Sequence, residues 1–325
     1  MPRVVVFDEF GGPDVLRIVD DPVVDPEPGE VRVRIQAFAV NPLDVMMRSG
    51  QAPAPVPLPH ARLGIEGTGV VDAVGAGTPG FRIGDPVILA AVPDSSVRGS
   101  YAEYTTVPGS TVVRRPSDLD VAEAAAIWVG FSTAYGALVE NAGMHPGDTV
   151  LISGASGSVG RAAMQIANRI GAIPLAVTRD AGKSEELKAA GAAAVIVTGH
   201  DDVADAVRGQ TDGAGADVVL DLVRGPGQRD LLRATRRHGR LVAAGFLDPR
   251  PTLEPTDGTV DIVGYRGFDY LLDPEVLARM SAFLDAAVPA LRPAIDIPFD
   301  LDHIVDAHRR WENGLHGGKK IVVTT

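Results

Sequence analysis

Apolar and polar positions follow two different patterns along this chain. In residues 1–122, short runs of alternating apolar and polar residues are separated by turns rich in proline and glycine, and 31–38 and 67–74 are examples. A period of two residues is typical of strands that bury one face. This first region is therefore predicted to be β-rich.

Between about residues 123 and 269 the pattern changes to short apolar runs separated by longer amphipathic segments. Such alternation predicts strand–helix–strand units and a parallel sheet with helices on both faces. The predicted strands are 149–153, 172–177, 194–197, 217–221, 240–244 and 259–264. The last part of the chain is predicted to contain a helix near 275–288, a strand near 294–299, a helix near 302–313 and a strand at 320–324.

The most informative segment follows the first of these strands and leads into an amphipathic helix. Its residues are Gly154, Ala155, Ser156, Gly157, Ser158, Val159 and Gly160. Gly154 lets the chain leave the strand sharply, Gly157 lets the backbone approach a ligand, and Gly160 lets the helix pack close to the strand. The free N–H groups and the positive end of the helix dipole predict that this turn binds a pyrophosphate. The alternative is a tight turn with no ligand.

The tip of the second strand of this unit indicates which dinucleotide binds. An acidic residue there would accept a hydrogen bond from the 2′-OH of NAD, whereas basic residues accommodate the 2′-phosphate of NADP. The chain places Thr178 and Arg179 at the tip, with Lys183 four residues beyond Arg179. A guanidinium matches phosphate geometry, so NADPH is predicted, and Asp180 is the residue that favours NAD instead. The alternative for the two cations is a solvated helix start.

Composition and charge exclude several other classes of function. The 325 residues carry a formal net charge of −12 and no cysteine. The acidic balance argues against a nucleic-acid partner, and the missing thiols exclude disulfides, thiolate-bound zinc and a cysteine nucleophile. The seven histidines show no metal-ligand spacing, so no metal is expected. The sequence has no apolar run of about 18 residues and no signal-peptide pattern, so we expect a cytoplasmic protein without a membrane span.

A set of short motifs occurs in a fixed order along almost the whole chain. The motifs are 10–16, 28–31, 41–44, 64–67, 84–87, 99–104, 133–135, 146–150, 239–242 and 318–321. Each is modest by itself, but the ordered set is specific. Together with the glycine-rich turn, the motifs resemble the zinc-independent quinone oxidoreductase branch of the medium-chain dehydrogenase/reductase superfamily.

The resemblance implies an α/β protein that combines a GroES-like β-barrel catalytic domain with a Rossmann domain, whose parallel sheet is doubly wound. The barrel domain would comprise 1–122 and 270–325, and the Rossmann domain 123–269. The resemblance also implies NADPH in the cleft between the domains and a homodimer paired through the strand near 259–264. Zinc-dependent relatives carry cysteine and histidine ligands near Asn41 and Ile65, so polarisation of a carbonyl by a metal is not expected here.

Carried over residue by residue, the resemblance assigns further contacts to the coenzyme. Gly245 and Phe246 would approach the nicotinamide ribose and ring, and Thr133 would lie on the nicotinamide side. Lys319 would reach the cofactor from the closing strand. Relatives often have a tyrosine near the position of Thr198, and this chain lacks it.

Asn41, Asp44 and Arg48 are predicted to lie nearest the chemistry. Their spacing puts the three side chains on one face of a helix. Asn41 could bond the nicotinamide ribose or a substrate oxygen, while Asp44 and Arg48 could hold each other. The alternative is a capping asparagine beside a surface Asp–Arg pair. Glu66 is expected to be structural, bonded to an arginine of the barrel.

These features predict an NADPH-dependent reductase of quinones or α,β-unsaturated carbonyls that works without a metal. A quinone accepts hydride readily, which fits a site without an evident general acid, so the protein would mainly bind and orient the reactants. A polyketide-type tailoring reductase acting on an enone or enoyl substrate is the alternative among enzymes. A redox sensor or structural protein that binds NADPH without turnover is the alternative of another class.

Overall fold

The structure is a computed structural model that describes residues 1–252, 259–288 and 290–325. The chain forms two compact units, one comprising Met1–Val129 and Leu271–Thr325, the other Gly130–Tyr270. The helix Val121–Tyr135 runs through the boundary after Val129. A domain limit placed at the change of sequence pattern, after residue 122, therefore falls near the start of this helix.

The elements are numbered in chain order. The strands are β1 (Arg3–Phe7), β2 (Arg17–Asp20), β3 (Glu30–Ala39), β4 (Ala61–Arg62), β5 (Gly67–Val74), β6 (Pro86–Leu89), β7 (Tyr104–Pro108), β8 (Val112–Arg114), β9 (Thr149–Ile152), β10 (Ile173–Thr178), β11 (Ala194–Val197), β12 (Ala216–Asp221), β13 (Thr235–Ala243), β14 (Asp261–Gly264), β15 (Phe299–Asp300) and β16 (Val322–Thr324). The α-helices are α1 (Pro42–Ser49), α2 (Ser95–Arg98), α3 (Val121–Tyr135), α4 (Ser158–Ile170), α5 (Ser184–Ala189), α6 (Val203–Gly209), α7 (Gln228–Ala234), α8 (Gly267–Leu271), α9 (Pro274–Ala287) and α10 (Ile304–Glu312).

The first unit is built mainly from one mixed sheet. Its strands follow the order β15-β16-β3-β5-β6-β8, with β7 also paired to β3, and a smaller sheet has the order β2-β1-β4. In β3, Val31, Val33 and Ile35 are buried, whereas the arginines between them are less buried, as the period of two predicts. The prediction of a β-rich first region is confirmed, with 31–38 and 67–74 inside β3 and β5.

The second unit contains an entirely parallel six-stranded sheet in the order β11-β10-β9-β12-β13-β14. All four residues of β9 are buried, so both faces of this central strand are covered, as in an α/β sheet. Strand order reverses between β9 and β12, which is where such sheets bind ligands at their carboxyl edge. All six strands predicted for this region are present, and the predicted Rossmann fold is confirmed.

The last part of the chain differs from the prediction in one element. Helices α9 and α10 and strand β16 lie where helices and a strand were predicted. The strand expected near 294–299 is wrong over most of its length, because only Phe299 and Asp300 form β15 and Ile295 makes an isolated bridge to Lys320. Pro298 has no N–H to donate to a strand partner, which explains the interruption.

The helical segment Val121–Asn141, which continues α3 through a π-helical turn, is long and apolar enough to span a membrane by length and composition alone. In the structure, 72% of its most apolar window is buried inside the protein. A core helix of a folded domain passes the same test.

Candidate functional site

The glycine-rich turn after β9 has the geometry that its sequence predicts. Gly154 has φ of +60°, a left-handed conformation that glycine adopts without strain. A Cβ at Gly160 would lie 2.5 Å from the Cα of Ala155, so only glycine lets α4 approach the turn this closely. At Gly157 a Cβ would meet nothing nearer than the Gly154 carbonyl oxygen at 3.4 Å. The space over the turn is therefore open to a ligand.

The start of α4 offers hydrogen-bond donors to that space. Gly157 is the N-cap, and within the described residues no side chain caps the helix there. The first backbone N–H groups of a helix have no partner inside the helix, and here Ser158 and Val159 lie half-buried at this position. A pyrophosphate supplies the acceptors that such a turn lacks. The turn thus fits the diphosphate of a dinucleotide.

The tip of β10 brings one of the two predicted cations to the turn. The Nζ of Lys183 donates to the Oγ of Ser156 at 3.4 Å. Asp180, the residue that would favour NAD, caps its own turn by accepting from the N–H of Gly182 at 2.9 Å. Thr178 is buried and its Oγ1 accepts from the backbone N–H of Asp180, while Arg179 is exposed.

An acidic residue, Asp248, interacts with Arg179, and the sequence alone did not indicate it. The pKa of Asp248 is lowered to about 2, chiefly by hydrogen bonds from Arg250, and Arg179 adds a smaller attraction. Asp248 lies in the loop after β13, and its N–H donates to the carbonyl of Val223 at 2.9 Å. The attraction between Asp248 and Arg179 depends on the folded sheet, because the two residues are far apart in the sequence, so no local sequence motif indicates it.

Three further residues predicted for the coenzyme, Thr133, Gly245 and Phe246, lie in the same unit as the glycine-rich turn. A Cβ at Gly245 would come within 1.7 Å of the Leu222 carbonyl oxygen, so glycine is required there, and the neighbouring Phe246 is 51% exposed. Gly154 packs beside the same Leu222. Thr133 is half-buried on the part of α3 where Gly130 approaches Ser158 at the start of α4.

The predicted constellation of Asn41, Asp44 and Arg48 occupies α1 but is fully buried. Asn41 is the N-cap and forms a capping box with Asp44, so the capping role considered for it is present. The predicted contact between Asp44 and Arg48 is wrong, because Arg48 pairs with Glu312 and Asp44 accepts from the N–H groups of Asn41 and Gly64 at 2.9 and 3.0 Å. The alternative, an Asp–Arg pair at the surface, is also wrong, because both side chains are buried and bonded to other residues.

Asn41 belongs instead to a buried cluster with Glu66 and Lys320. Its Nδ2 donates to the Glu66 carboxylate at 3.0 Å and to the Ala39 carbonyl at 3.1 Å, and its Oδ1 accepts from the Lys320 ammonium. Glu66 also accepts from Lys320 and from the backbone N–H of Val129. The partner predicted for Glu66, an arginine, is therefore a lysine. Both N–H groups of the Asn41 amide are engaged, which leaves neither for a substrate oxygen.

The contact of Lys319 with the coenzyme stays a prediction: Lys319 is exposed, whereas its neighbour Lys320, just before the closing strand β16, is buried. Adjacent residues near a strand point to opposite sides, and the sequence alone did not show which of the two points inward.

Asp44 is linked to a second group of buried polar side chains. Tyr101 Oη lies 3.3 Å from the Asp44 carboxylate and 3.2 Å from His308 Nε2. Burial raises the pKa of Asp44 to about 7, although two backbone N–H groups favour the charged form. Burial raises the pKa of Tyr101 as well, and it lowers the pKa of His308 to about 3 with a contribution from Arg48. His308 is therefore neutral, and Asp44 titrates near neutrality.

Within the described residues, no group of three or more histidine, aspartate or glutamate side chains is arranged to hold a metal ion.

Two family profiles match the chain. The profile described as "Alcohol dehydrogenase GroES-like domain" matches residues 27–117, and that described as "Zinc-binding dehydrogenase" matches residues 158–284. The quinone oxidoreductase of Lama guanicoe is 31% identical over 99% of this chain and 97% of its own length. The 2-methylene-furan-3-one reductase of Solanum lycopersicum is 32% identical over 97% of this chain and 77% of its own length.

Solved structures have the same fold over the full length of the chain. An NAD-dependent alcohol dehydrogenase superimposes with a TM-score of 0.86 at 32% identity and covers 99% of both chains. A mycobacterial protein solved in complex with NADPH superimposes with a TM-score of 0.85 at 30% identity and covers all of both chains.

Proposed function

We propose that this chain, which belongs to the quinone oxidoreductase branch of the medium-chain dehydrogenase/reductase superfamily, reduces quinones with NADPH as the hydride donor. The observation that carries the proposal is the glycine-rich turn at the start of α4, where the first N–H groups have no partner inside the helix and no described side chain caps them, and beside which Lys183 contacts Ser156. NADPH, when bound, supplies the hydride. The residues of the chain bind and orient it.

The choice of NADPH over NADH rests on charge at the tip of β10. Arg179 and Lys183 offer two cations to a 2′-phosphate, and the carboxylate of Asp180 is engaged with the N–H of Gly182. In a site for NAD, an acidic side chain at this tip would instead be directed to the ribose hydroxyls. Both coenzymes are represented among the structural relatives, so the preference needs a direct measurement.

The polar side chains around α1 are hydrogen-bonded inside the protein, which favours a substrate that needs little acid catalysis. The Asn41 amide is bonded to Glu66 and Lys320, so Asn41 has a positioning role between these two residues. A quinone gains a hydride to form a hydroquinone anion, which water can protonate. Reduction of an enone is a second candidate, favoured by the relative named 2-methylene-furan-3-one reductase. The polyketide-type substrate is a special case of this candidate.

The test begins with calorimetry of the purified chain with NADPH and with NADH. NADPH is expected to bind at least about tenfold more tightly, a difference of about 1.4 kcal/mol. NADPH oxidation is then followed with a panel of quinones and enones, and turnover is expected to be fastest with quinones. Tight binding without oxidation of NADPH by any acceptor would favour the redox sensor, and no binding of either coenzyme would overturn the proposal.

We propose in addition that the protein is a cytoplasmic homodimer. Among the described residues β14 ends the six-strand order, and Ile262 on it is 37% exposed, which supports pairing of this strand with the same strand of a second copy. Light scattering should then give twice the chain mass of 33.9 kDa. A monomer at micromolar concentration would contradict the dimer.

A further inference from the structure

Asp221, the last residue of β12, has a fully buried side chain that accepts four hydrogen bonds. Oδ1 accepts from Ser153 Oγ at 2.9 Å and from the N–H groups of Val223 and Arg224 at 3.1 and 2.9 Å. Oδ2 accepts from Gln228 Nε2 at 2.8 Å. A carboxylate accepts at both oxygens and brings no donor of its own, which matches the four donors around this side chain.

The backbone of Asp221 extends the same connection to a third strand. Its carbonyl accepts from the N–H groups of Ala244 and Gly245, both at 3.0 Å, just after β13. Ser153, which immediately precedes Gly154, also accepts from the N–H of Leu222 at 2.9 Å. A single residue therefore ties together the ends of β9, β12 and β13.

The segments joined by Asp221 are those that would hold the coenzyme. Gly154 begins the pyrophosphate turn and packs beside Leu222 and Val223, and Gly245 packs against the Leu222 carbonyl. A shift of the loop after β12 would move both glycines, because each is in contact with it.

We infer that Asp221 is a positioning residue for the dinucleotide, an inference that rests on the proposed function. It touches neither the coenzyme nor the substrate. It sets the relative position of the pyrophosphate turn and the segment at Gly245. Loss of its acceptors would leave the partly buried N–H groups of Val223 and Arg224 without this partner and would loosen the loop that packs against both segments.

The chain provides a matched control on the same strand. Asp217, near the other end of β12, also joins β12 to β9, because its carboxylate accepts from the N–H of Thr149 at 2.8 Å and pairs with Arg236. It lies at the amino edge of the sheet, away from the glycine-rich turn. Asp217→Asn should therefore lower stability without moving the coenzyme site.

The experiment compares Asp221→Asn with Asp217→Asn in the full chain. Calorimetry should show NADPH binding weakened at least about tenfold by Asp221→Asn and changed by less than about twofold by Asp217→Asn. Hydrogen exchange without coenzyme should become faster in 222–228 and 244–246 in the first variant only. The double variant Ser153→Ala/Gln228→Ala keeps the carboxylate and should show a smaller effect of the same kind, which can be measured if Asp221→Asn does not fold.

The inference is overturned if a folded variant at Asp221, or the double variant, retains wild-type NADPH affinity, or if exchange in the two loops is unchanged. It is also overturned if Asp217→Asn weakens NADPH binding as much as Asp221→Asn, because the effect would then be one of general stability. Failure of the wild-type protein to bind NADPH would overturn the proposed function before any variant is compared.

Discussion

The glycine-rich turn and the polar cluster around α1 are both rich in hydrogen-bonding groups, but they use them differently. At the start of α4 the donors belong to the backbone of half-buried residues, and no described side chain caps them. Around α1 the donors and acceptors belong mainly to buried side chains that are bonded to each other, and among the described groups Arg48 Nε, Arg48 Nη1 and His308 Nδ1 have no hydrogen-bond partner. The first arrangement is prepared for a ligand, whereas the second holds the fold together. Helical spacing alone does not distinguish the two.

The largest effect is expected from breaking the buried ion pair of the α1 cluster. Lys320→Met leaves the Glu66 carboxylate buried without its cation, which should lower the free energy of unfolding by about 3–5 kcal/mol. Lys319→Met, one residue away and exposed, is the control and should change it by less than about 0.5 kcal/mol. Urea unfolding measures both. Equal stability of the two variants would mean that the cluster does not hold the fold.

The second prediction uses the opposite pKa shifts of Asp44 and His308. The raised pKa of Asp44, about 7, means that the folded protein holds a proton that the unfolded chain has lost, so this group lowers stability as pH rises from about 4 to 7. The lowered pKa of His308, about 3, has the opposite effect, because the unfolded chain binds the extra proton between about pH 3 and 6.5. The two contributions oppose each other over most of this range.

Asp44→Asn should therefore uncover the contribution of His308. Relative to wild type, its stability should rise with pH between about 4 and 7 by up to about 1.4 kcal/mol per pH unit, the slope for one proton. Tyr101→Phe, which removes the hydroxyl between the two groups but no titration in this range, is the control. The assignment would be contradicted if the free energies of unfolding of wild type and Asp44→Asn differed by the same amount at every pH.

The difference between the two regions also explains what the sequence could predict. The central strand β9 was predictable because a fully buried strand is a continuous apolar run. The glycine-rich turn was predictable because three local backbone requirements determine it. Asp221 was not predictable, since its partners come from separate segments: Ser153 before the turn, the loop after β12 and Gln228 in α7.

The α1 cluster shows the same limit. The spacing correctly placed Asn41, Asp44 and Arg48 on one helix, but their partners, Lys320, Gly64 and Glu312, come from distant parts of the chain. Burial depends on that long-range packing, and burial decides whether a charged residue meets a ligand or another residue of the protein.

In the glycine-rich turn, a side chain at Gly160 should weaken binding of the coenzyme. Gly160→Ala puts a Cβ 2.5 Å from the Ala155 backbone, so α4 must move away from the turn, and binding of NADPH and NADH should each weaken by about 1–3 kcal/mol. Gly209→Ala is the control, because a Cβ at that helical glycine has nothing within 4 Å. Calorimetry with both coenzymes measures the effect. Unchanged binding in Gly160→Ala would mean that the turn does not hold the diphosphate.

The smallest effect separates phosphate recognition from binding of the diphosphate. Arg179→Ala should weaken NADPH binding about tenfold, or about 1.4 kcal/mol, as expected for loss of a charge-assisted contact at an exposed site, and should leave NADH binding unchanged. Asp248→Asn should act in the opposite direction, because it removes the acidic group that attracts Arg179 in the absence of a phosphate. Equal losses for both coenzymes in Arg179→Ala would assign this arginine to the diphosphate and would remove the charge argument for NADPH. If Asp248→Asn raised the affinity for NADPH and left that for NADH unchanged, Arg179 and Asp248 would set the coenzyme preference together.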